Sequence, residues 1–329
     1  MKCFAIIGSN FITDLFLEAA AKIESLELAA VYSRSGERAE SLAKRYGAQK
    51  IYTDQEKLAK DSEIEGIYIA SPNSLHYEQT VKMLENGKHV LCEKPIASNL
   101  SEAKRMFAAA KERRRVLLEG MRPVFDPGFQ AIRENLHKLG KIRMVRFHFC
   151  KYSSRYDDFK AGKPGNTFNP AFSNGALMDI GVYAVHALIR LFGMPQKLDA
   201  ASFVLENSID GIGSLLLTYP EMLAVLSYSK ITNGYLLNEI QGEEAVMLID
   251  RIEDTKDIEI LYRRGGKEKI EIVKEENNMV YEAGLWLKLM EEEKGWEEAL
   301  SMGKYSLEAM ELMDEARRRT NIVFPADAG

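Results

Sequence analysis

The chain of 329 residues is poor in the residues that metal sites and disulfide scaffolds need. Its three cysteines, Cys3, Cys92 and Cys150, are odd in number and sit singly inside strand-like apolar runs. They read as packing residues rather than a disulfide framework. The five histidines are scattered and no Cys or His pair has zinc-ligand spacing, so no metal is expected. Positive charge is not in excess: 44 Lys and Arg against 49 Asp and Glu leave a formal net charge of −5. That balance argues against nucleic acid as the main partner, because phosphate binding wants a basic face. No apolar run reads as a membrane span, so no membrane partner is expected. The opening MKCFAIIGSN turns quickly to glycine and polar residues, without the apolar region and cleavage site of a signal peptide. A cytoplasmic location is expected. There is no internal repeat and no low-complexity linker.

What is present is the balance of an ordinary globular protein, 46% hydrophobic and 28% charged, at a length that suits two domains. The first third alternates. Apolar runs at 3–8, 28–33, 51–52, 66–71, 89–93 and 116–119 are separated by helical patterns at 14–23, 37–46, 75–85 and 101–113. Continuous apolar strands between amphipathic helices mean a parallel sheet covered on both faces. The fold expected is α/β: an N-terminal doubly wound Rossmann sheet, with ligands bound beyond the carboxyl ends of its strands. After Pro123 the pattern changes. Helices at 128–139 and about 176–192 precede strand-like runs at 200–205, 212–219, 223–229, 245–249, 258–262 and 270–273. Turn pairs such as Asn233-Gly234 and Gly265-Gly266 join some of them. This predicts a C-terminal α+β domain with a largely antiparallel open sheet, closed by helices near 280–293 and 307–318. The boundary falls near 120, giving a dinucleotide-binding domain over 1–120 and a substrate-binding and dimerisation domain over 121–329.

Three strand ends compose a dinucleotide site. Gly8-Ser9-Asn10-Phe11-Ile12 follows the first strand and opens the first helix, where an anion is favoured. A full fingerprint has glycine where Asn10 stands, and asparagine tolerates a left-handed backbone better than most residues. At the end of the second strand an NAD enzyme usually places Asp or Glu. Here stand Ser33, Arg34 and Ser35, with Arg38 one turn on, a set suited to a 2′-phosphate. NADP is therefore the expected cofactor, with NAD as the alternative. Ala70-Ser71-Pro72-Asn73, followed by His76, ends the fourth strand with small residues that would let ribose and nicotinamide lie against backbone.

The stretch HVLCEKPI places Glu93 and Lys94 at the mouth of the crevice, with Pro95 after them. Far downstream comes GALMDIGVY, residues 175–183, with Asp179 and Tyr183. With Gly8–Ile12 and Ser71–His76, these segments make the chain resemble the Gfo/Idh/MocA oxidoreductase family. The resemblance implies hydride transfer between a nicotinamide and a hydroxyl-bearing carbon of a sugar, polyol or diol, and a homodimer formed through the open sheet. It implies that Lys94 is the catalytic lysine. Tyr183, where many members have histidine, places the chain in a tyrosine branch with dimeric dihydrodiol dehydrogenase and glucose-fructose oxidoreductase. Members of that branch often carry arginine where this chain has Val124.

The chemistry follows from the residue types. An alcohol loses its hydroxyl proton as hydride leaves the carbon. A phenol, with an ordinary pKa near 10, is a poor base at neutrality unless a cation favours the phenolate. Tyr183 is expected to exchange the proton beside the ammonium of Lys94, which also binds the substrate oxygen and touches the nicotinamide ribose, and Asp179 to orient Lys94 or the substrate hydroxyl. Glu93 would hold the strand end and the cofactor. Spacings of four and three put Asp179, Tyr183 and His186 on one helix face. The segment 151–174, read as an irregular loop, supplies Arg155, Tyr156, Asp157 and Asn169 as substrate candidates alongside His186. Two other functions share the fold: a non-catalytic dinucleotide-binding regulator, and a biliverdin-reductase-like reductase.

Overall fold

Six residues in succession, KCFAII, form β1 (Lys2–Ile7), with its last four buried. The structure, a computed structural model, describes residues 1–163 and 165–328. β1 is followed by α1 (Phe11–Ala20), β2 (Leu26–Tyr32), α2 (Gly36–Tyr46), β3 (Lys50–Tyr52), α3 (Gln55–Lys60), β4 (Gly66–Ile69), α4 (His76–Glu85), β5 (His89–Glu93), α5 (Leu100–Arg113) and β6 (Leu117–Gly120). All pairings are parallel, in the order β3-β2-β1-β4-β5-β6. This is the doubly wound order, and its switch point lies between β1 and β4.

The second sheet has eight strands. α6 (Pro127–Asn135) leads to β7 (Ile142–Cys150), then α7 (Arg155–Lys160) and α8 (Val182–Phe192). β8 (Lys197–Val204), β9 (Asp210–Thr218), β10 (Leu223–Ser229), β11 (Asn238–Gly242), β12 (Ala245–Ile249), β13 (Ile258–Tyr262) and β14 (Lys267–Ile270) follow. The order is β14-β13-β12-β11-β7-β10-β9-β8, antiparallel except for β7 beside β10. The chain ends in α9 (Met279–Glu291) and the long α10 (Gly295–Arg319).

The compact units differ from a single boundary near 120. One comprises Met1–Arg122 with Glu275–Leu307, the other Pro123–Lys274 with Glu308–Gly329. Packing explains the return of 275–307 to the first unit. Trp286 of α9 is fully buried, and a Cβ on Gly66 would lie 2.8 Å from its ring. Phe4 meets the same indole edge-on at 6.0 Å. Removing such a ring costs about 3–5 kcal/mol, so α9 is an integral part of the first unit's core. The stretch Pro170–Phe192 is long and apolar enough to cross a membrane by length and composition, contrary to the sequence expectation. In the structure 72% of its window is buried inside the protein, as the core helix of a folded domain would be.

Candidate active site

The β1–α1 turn is set by Gly8. Its φ of +123° is a conformation for glycine, and a Cβ there would meet the Ala70 carbonyl oxygen at 2.5 Å. Asn10 does not use a left-handed backbone as the sequence reading supposed; its φ is −108° and ψ 178°. It works through its side chain instead. Oδ1 accepts from the Ile12 and Thr13 N–H groups at 3.0 and 3.3 Å, and Nδ2 donates to the Ala70 carbonyl at 2.9 Å. One carboxamide thus caps α1 and ties the first turn to the end of β4. Ser9 and Phe11 are exposed at the turn, and Ile12 is half-buried.

At the end of β2, Ser33 Oγ accepts from the Ser35 N–H at 3.2 Å, and Ser35 caps α2 through the Arg38 N–H at 3.4 Å. Arg34 and Arg38 are exposed, and neither guanidinium is ion-paired among the described residues. Two uncompensated cations near a helix start are mildly unfavourable by themselves and suit an anionic ligand.

At the end of β4, Ser71 Oγ donates to Gln79 Oε1 at 2.7 Å, and Pro72 and Asn73 are half-buried at the start of a short 3₁₀ turn, Asn73–Leu75. His76 is wholly buried, so it lies beneath the turns rather than at an open cofactor surface. Its Nε2 is 2.9 Å from the Ser71 carbonyl and its Nδ1 2.9 Å from that of Pro95. The imidazole therefore links the turn after β4 to the turn after β5. Both partners are acceptors, so both bonds call for ring N–H groups, while burial holds the ring's pKa down.

Glu93 closes β5 and is buried. Oε1 accepts from the Tyr68 hydroxyl at 2.7 Å and Oε2 from the Lys94 N–H at 3.2 Å. On the other side of the triplet, Glu119 Oε1 accepts from the Ile96 N–H at 3.0 Å. Lys94 is half-buried, and its bond to Pro95 is cis. Two carboxylates thus fix the backbone on either side of the lysine.

Glu282 of α9 was not singled out from the sequence, where it is one acid among many. It is fully buried and neither carboxyl oxygen has a hydrogen-bond partner among the described residues. Burial first, then the nearby Glu93, push its pKa well above the usual carboxylate range, with Arg122 opposing; Tyr68 also feels its charge. Burial likewise raises Glu93. A folded-state pKa raised in this way gives stability that is full below the ordinary carboxylate value and lost as pH rises toward the folded one. Glu282→Gln is therefore expected to gain thermal stability relative to the natural protein as pH goes from about 5 to about 8. Melting curves across that range check it; parallel curves would refute the assignment.

In the second unit a buried Asp210 starts the helix that bears Asp179 and Tyr183. Its Oδ2 accepts from the Leu177 N–H at 2.6 Å, and its Oδ1 occupies the space a Cβ on Gly175 would need. Residues Leu177–Gly181 then form a π-turn before α8, a feature frequent at functional sites. Asp179 lies in this turn, and Tyr183 follows in the first turn of α8. Tyr183 is half-buried with its ring edge-on to Phe149 at 5.8 Å. His186, at 1% exposure, is in the interior and does not share an accessible face with them.

Asp179 pairs with Lys230, Nζ to Oδ2 at 2.8 Å. Lys230 follows β10, far away in sequence, and nothing local announces the pair. Part of the expected irregular loop is helical, as α7. Its Arg155 is exposed and pairs with Asp158 at 3.9 Å. Tyr156 stacks on Phe159 at 5.9 Å, and Asp157 pairs with Lys160 at 2.8 Å. The Asn169 side chain accepts from the Ala171 N–H at 3.0 Å, capping a short turn. Each of these substrate candidates is thus engaged with its own segment. No cluster of three or more His, Cys, Asp or Glu that could hold a metal occurs among the described residues.

Comparisons with known proteins give the geometry its class. Residues 2–121 match the model of the Gfo/Idh/MocA oxidoreductase family with its NAD-binding Rossmann fold, and residues 129–247 match a Gfo/Idh/MocA C-terminal domain. The chain is 45% identical, over 98% of both sequences, to the scyllo-inositol 2-dehydrogenase (NADP(+)) IolU of Bacillus subtilis (strain 168). It is 31% identical to the trans-1,2-dihydrobenzene-1,2-diol dehydrogenase of Mus musculus over 66% of this chain and 65% of that one. The fold is that of KijD10, a 3-ketoreductase from Actinomadura kijaniata solved with NADP and TDP-benzene. That likeness has a TM-score of 0.81 and 23% identity, and covers 97% of this chain and 98% of the other. The chain belongs to the Gfo/Idh/MocA oxidoreductase family, and its fold is α/β with a Rossmann domain.

Proposed function

We propose that the protein oxidises a secondary hydroxyl of a ring polyol, of the scyllo-inositol class, with NADP⁺, and reduces the corresponding ketone in reverse. The observation that carries this is Lys94, held at the carboxyl end of β5 by Glu93 and Glu119, in a chain that matches an inositol dehydrogenase over 98% of both lengths. The cofactor supplies the hydride acceptor. The first unit would hold it: the Gly8 turn and the start of α1 at the pyrophosphate, Ser33, Arg34 and Arg38 at the 2′-phosphate, and the Ala70–Asn73 turn at the ribose. Gly8 fits that role because its missing side chain lets backbone come close, and the guanidinium groups of Arg34 and Arg38, without an ion pair among the described residues, fit an added phosphate. The second unit would bind substrate. Tyr183 takes the hydroxyl proton, Lys94 favours the phenolate and binds the substrate oxygen, and Asp179 orients the substrate. The open sheet would form the face of a homodimer.

Absorbance of NADPH tests the whole reading with scyllo-inositol, other inositols, aldoses and trans-diols, each with NADP⁺ and NAD⁺. Turnover of scyllo-inositol with NADP⁺ preferred is expected. Arg34→Ala with Arg38→Ala should raise KM for NADP⁺ about a hundredfold, the loss of two charge-assisted bonds, and leave KM for NAD⁺ nearly unchanged. Absence of turnover on every compound would sink the proposal, and equal KM changes for both cofactors would sink the phosphate assignment.

A further inference from the structure

Lys230 is among the largest fully buried side chains, at 1% exposure, although it is a cation. A buried ammonium persists only when its charge and donors are matched. Here Nζ meets Asp179 Oδ2 at 2.8 Å, donates to the Thr167 carbonyl at 2.8 Å and lies 3.4 Å from Asn174 Oδ1. It also sits 4.7 Å from the centre of the Phe168 ring. Its backbone is equally engaged: the N–H donates to the Gly211 carbonyl at 2.9 Å, and the carbonyl accepts from the Ser153 N–H at 2.8 Å. One residue at the end of β10 thus joins β9, the chain at Ser153, the segment 165–174 and the π-turn that precedes Tyr183. Asp179 in turn keeps about a third of its side chain exposed, so it is the member of the pair that a ligand can reach.

We infer that Lys230 is a positioning residue: it fixes the Asp179 carboxylate as an oriented anion and ties the segment around Thr167 and Asn174 to the helix bearing Tyr183. This rests on the proposed role of Asp179 in orienting substrate. A long point-charge donor suits the task, since it reaches three acceptors in two segments at once. Without it, the Asp179 carboxylate would lose its 2.8 Å ion pair, and a small displacement at a reacting centre can cost about a hundredfold in rate.

The test is a double-mutant cycle with scyllo-inositol and NADP⁺ as probes. Lys230→Met and Asp179→Asn should each lower kcat by about ten- to a hundredfold, with NADPH affinity, a property of the first unit, unchanged. The double variant should be no slower than Asp179→Asn within about twofold, because the lysine acts through the carboxylate. Losses that multiply would overturn the inference, as would wild-type kcat in Lys230→Met. Lys230→Gln, which keeps a donor for the Thr167 carbonyl, decides the point by the same readout if the methionine variant does not fold. If Asp179→Asn alone leaves kcat intact, the proposed role of Asp179 fails and the inference falls with it. If the natural protein does not turn over scyllo-inositol, the substrate proposal fails, and tryptic cleavage after Lys160 still tests the tie. Faster cleavage in both Lys230 variants is expected, and unchanged cleavage overturns the inference.

Discussion

Lys94→Met is expected to lower turnover by at least about a thousandfold while NADPH still binds, the scale on which loss of charge stabilisation at a reacting centre is felt. The substitution is a clean one. The backbone of the turn is held by Glu93 from the Lys94 N–H and by Glu119 from the Ile96 N–H, and neither bond involves the lysine side chain. Methionine keeps the length and flexibility of the stem and removes only the charge and the donors. The groups proposed to hold the cofactor phosphates lie at the ends of β1 and β2, in other turns of the sheet. Binding of NADPH, followed by its fluorescence, should therefore change by less than about threefold, while kcat collapses. Full activity in this variant would remove the mechanism. Lost NADPH affinity with unchanged kcat would move Lys94 from the chemistry to the cofactor.

The first sheet was legible because parallel strands covered on both faces read as unbroken apolar runs. The ligand-binding turns were legible for the same reason, as the places where those runs stop. β7 was harder: Arg143, Arg146 and His148 interrupt its apolar residues, and it becomes a strand by pairing with β10 and β11. β11 offers Ile240 as its one buried apolar side chain and is likewise made by its neighbours. α9 was read as a helix near its observed bounds, but nothing in its own residues says which sheet it covers. That is decided by Trp286 against Gly66 and Phe4, more than two hundred positions away in the chain. Separation along the chain likewise hid Lys230, which pairs with Asp179, and Glu282, which lies near Glu93. A buried charge is announced by its partners in space, and pattern along a helix or strand carries no trace of them. Asn10 teaches a narrower point. The departure from glycine was visible, but the compensation is a side-chain bond to Ala70, which only the neighbouring strand end makes possible.

Tyr183→Phe isolates one oxygen atom. The ring lies edge-on to Phe149 at 5.8 Å, a contact phenylalanine keeps, so fold and ring position should survive. What disappears is the group proposed to carry the proton between substrate and solvent. Loss of a positioned acid–base group costs about a hundredfold or more, and that reduction is expected in kcat rather than in KM, because the hydroxyl acts in the transition state. The double variant with Lys94→Met should be little slower than Lys94→Met alone, since a phenol without a neighbouring cation is a poor base and its removal then costs little more. An unchanged kcat in Tyr183→Phe would leave the proton carrier to be sought elsewhere on the helix, and losses that multiply would separate the two residues into independent roles.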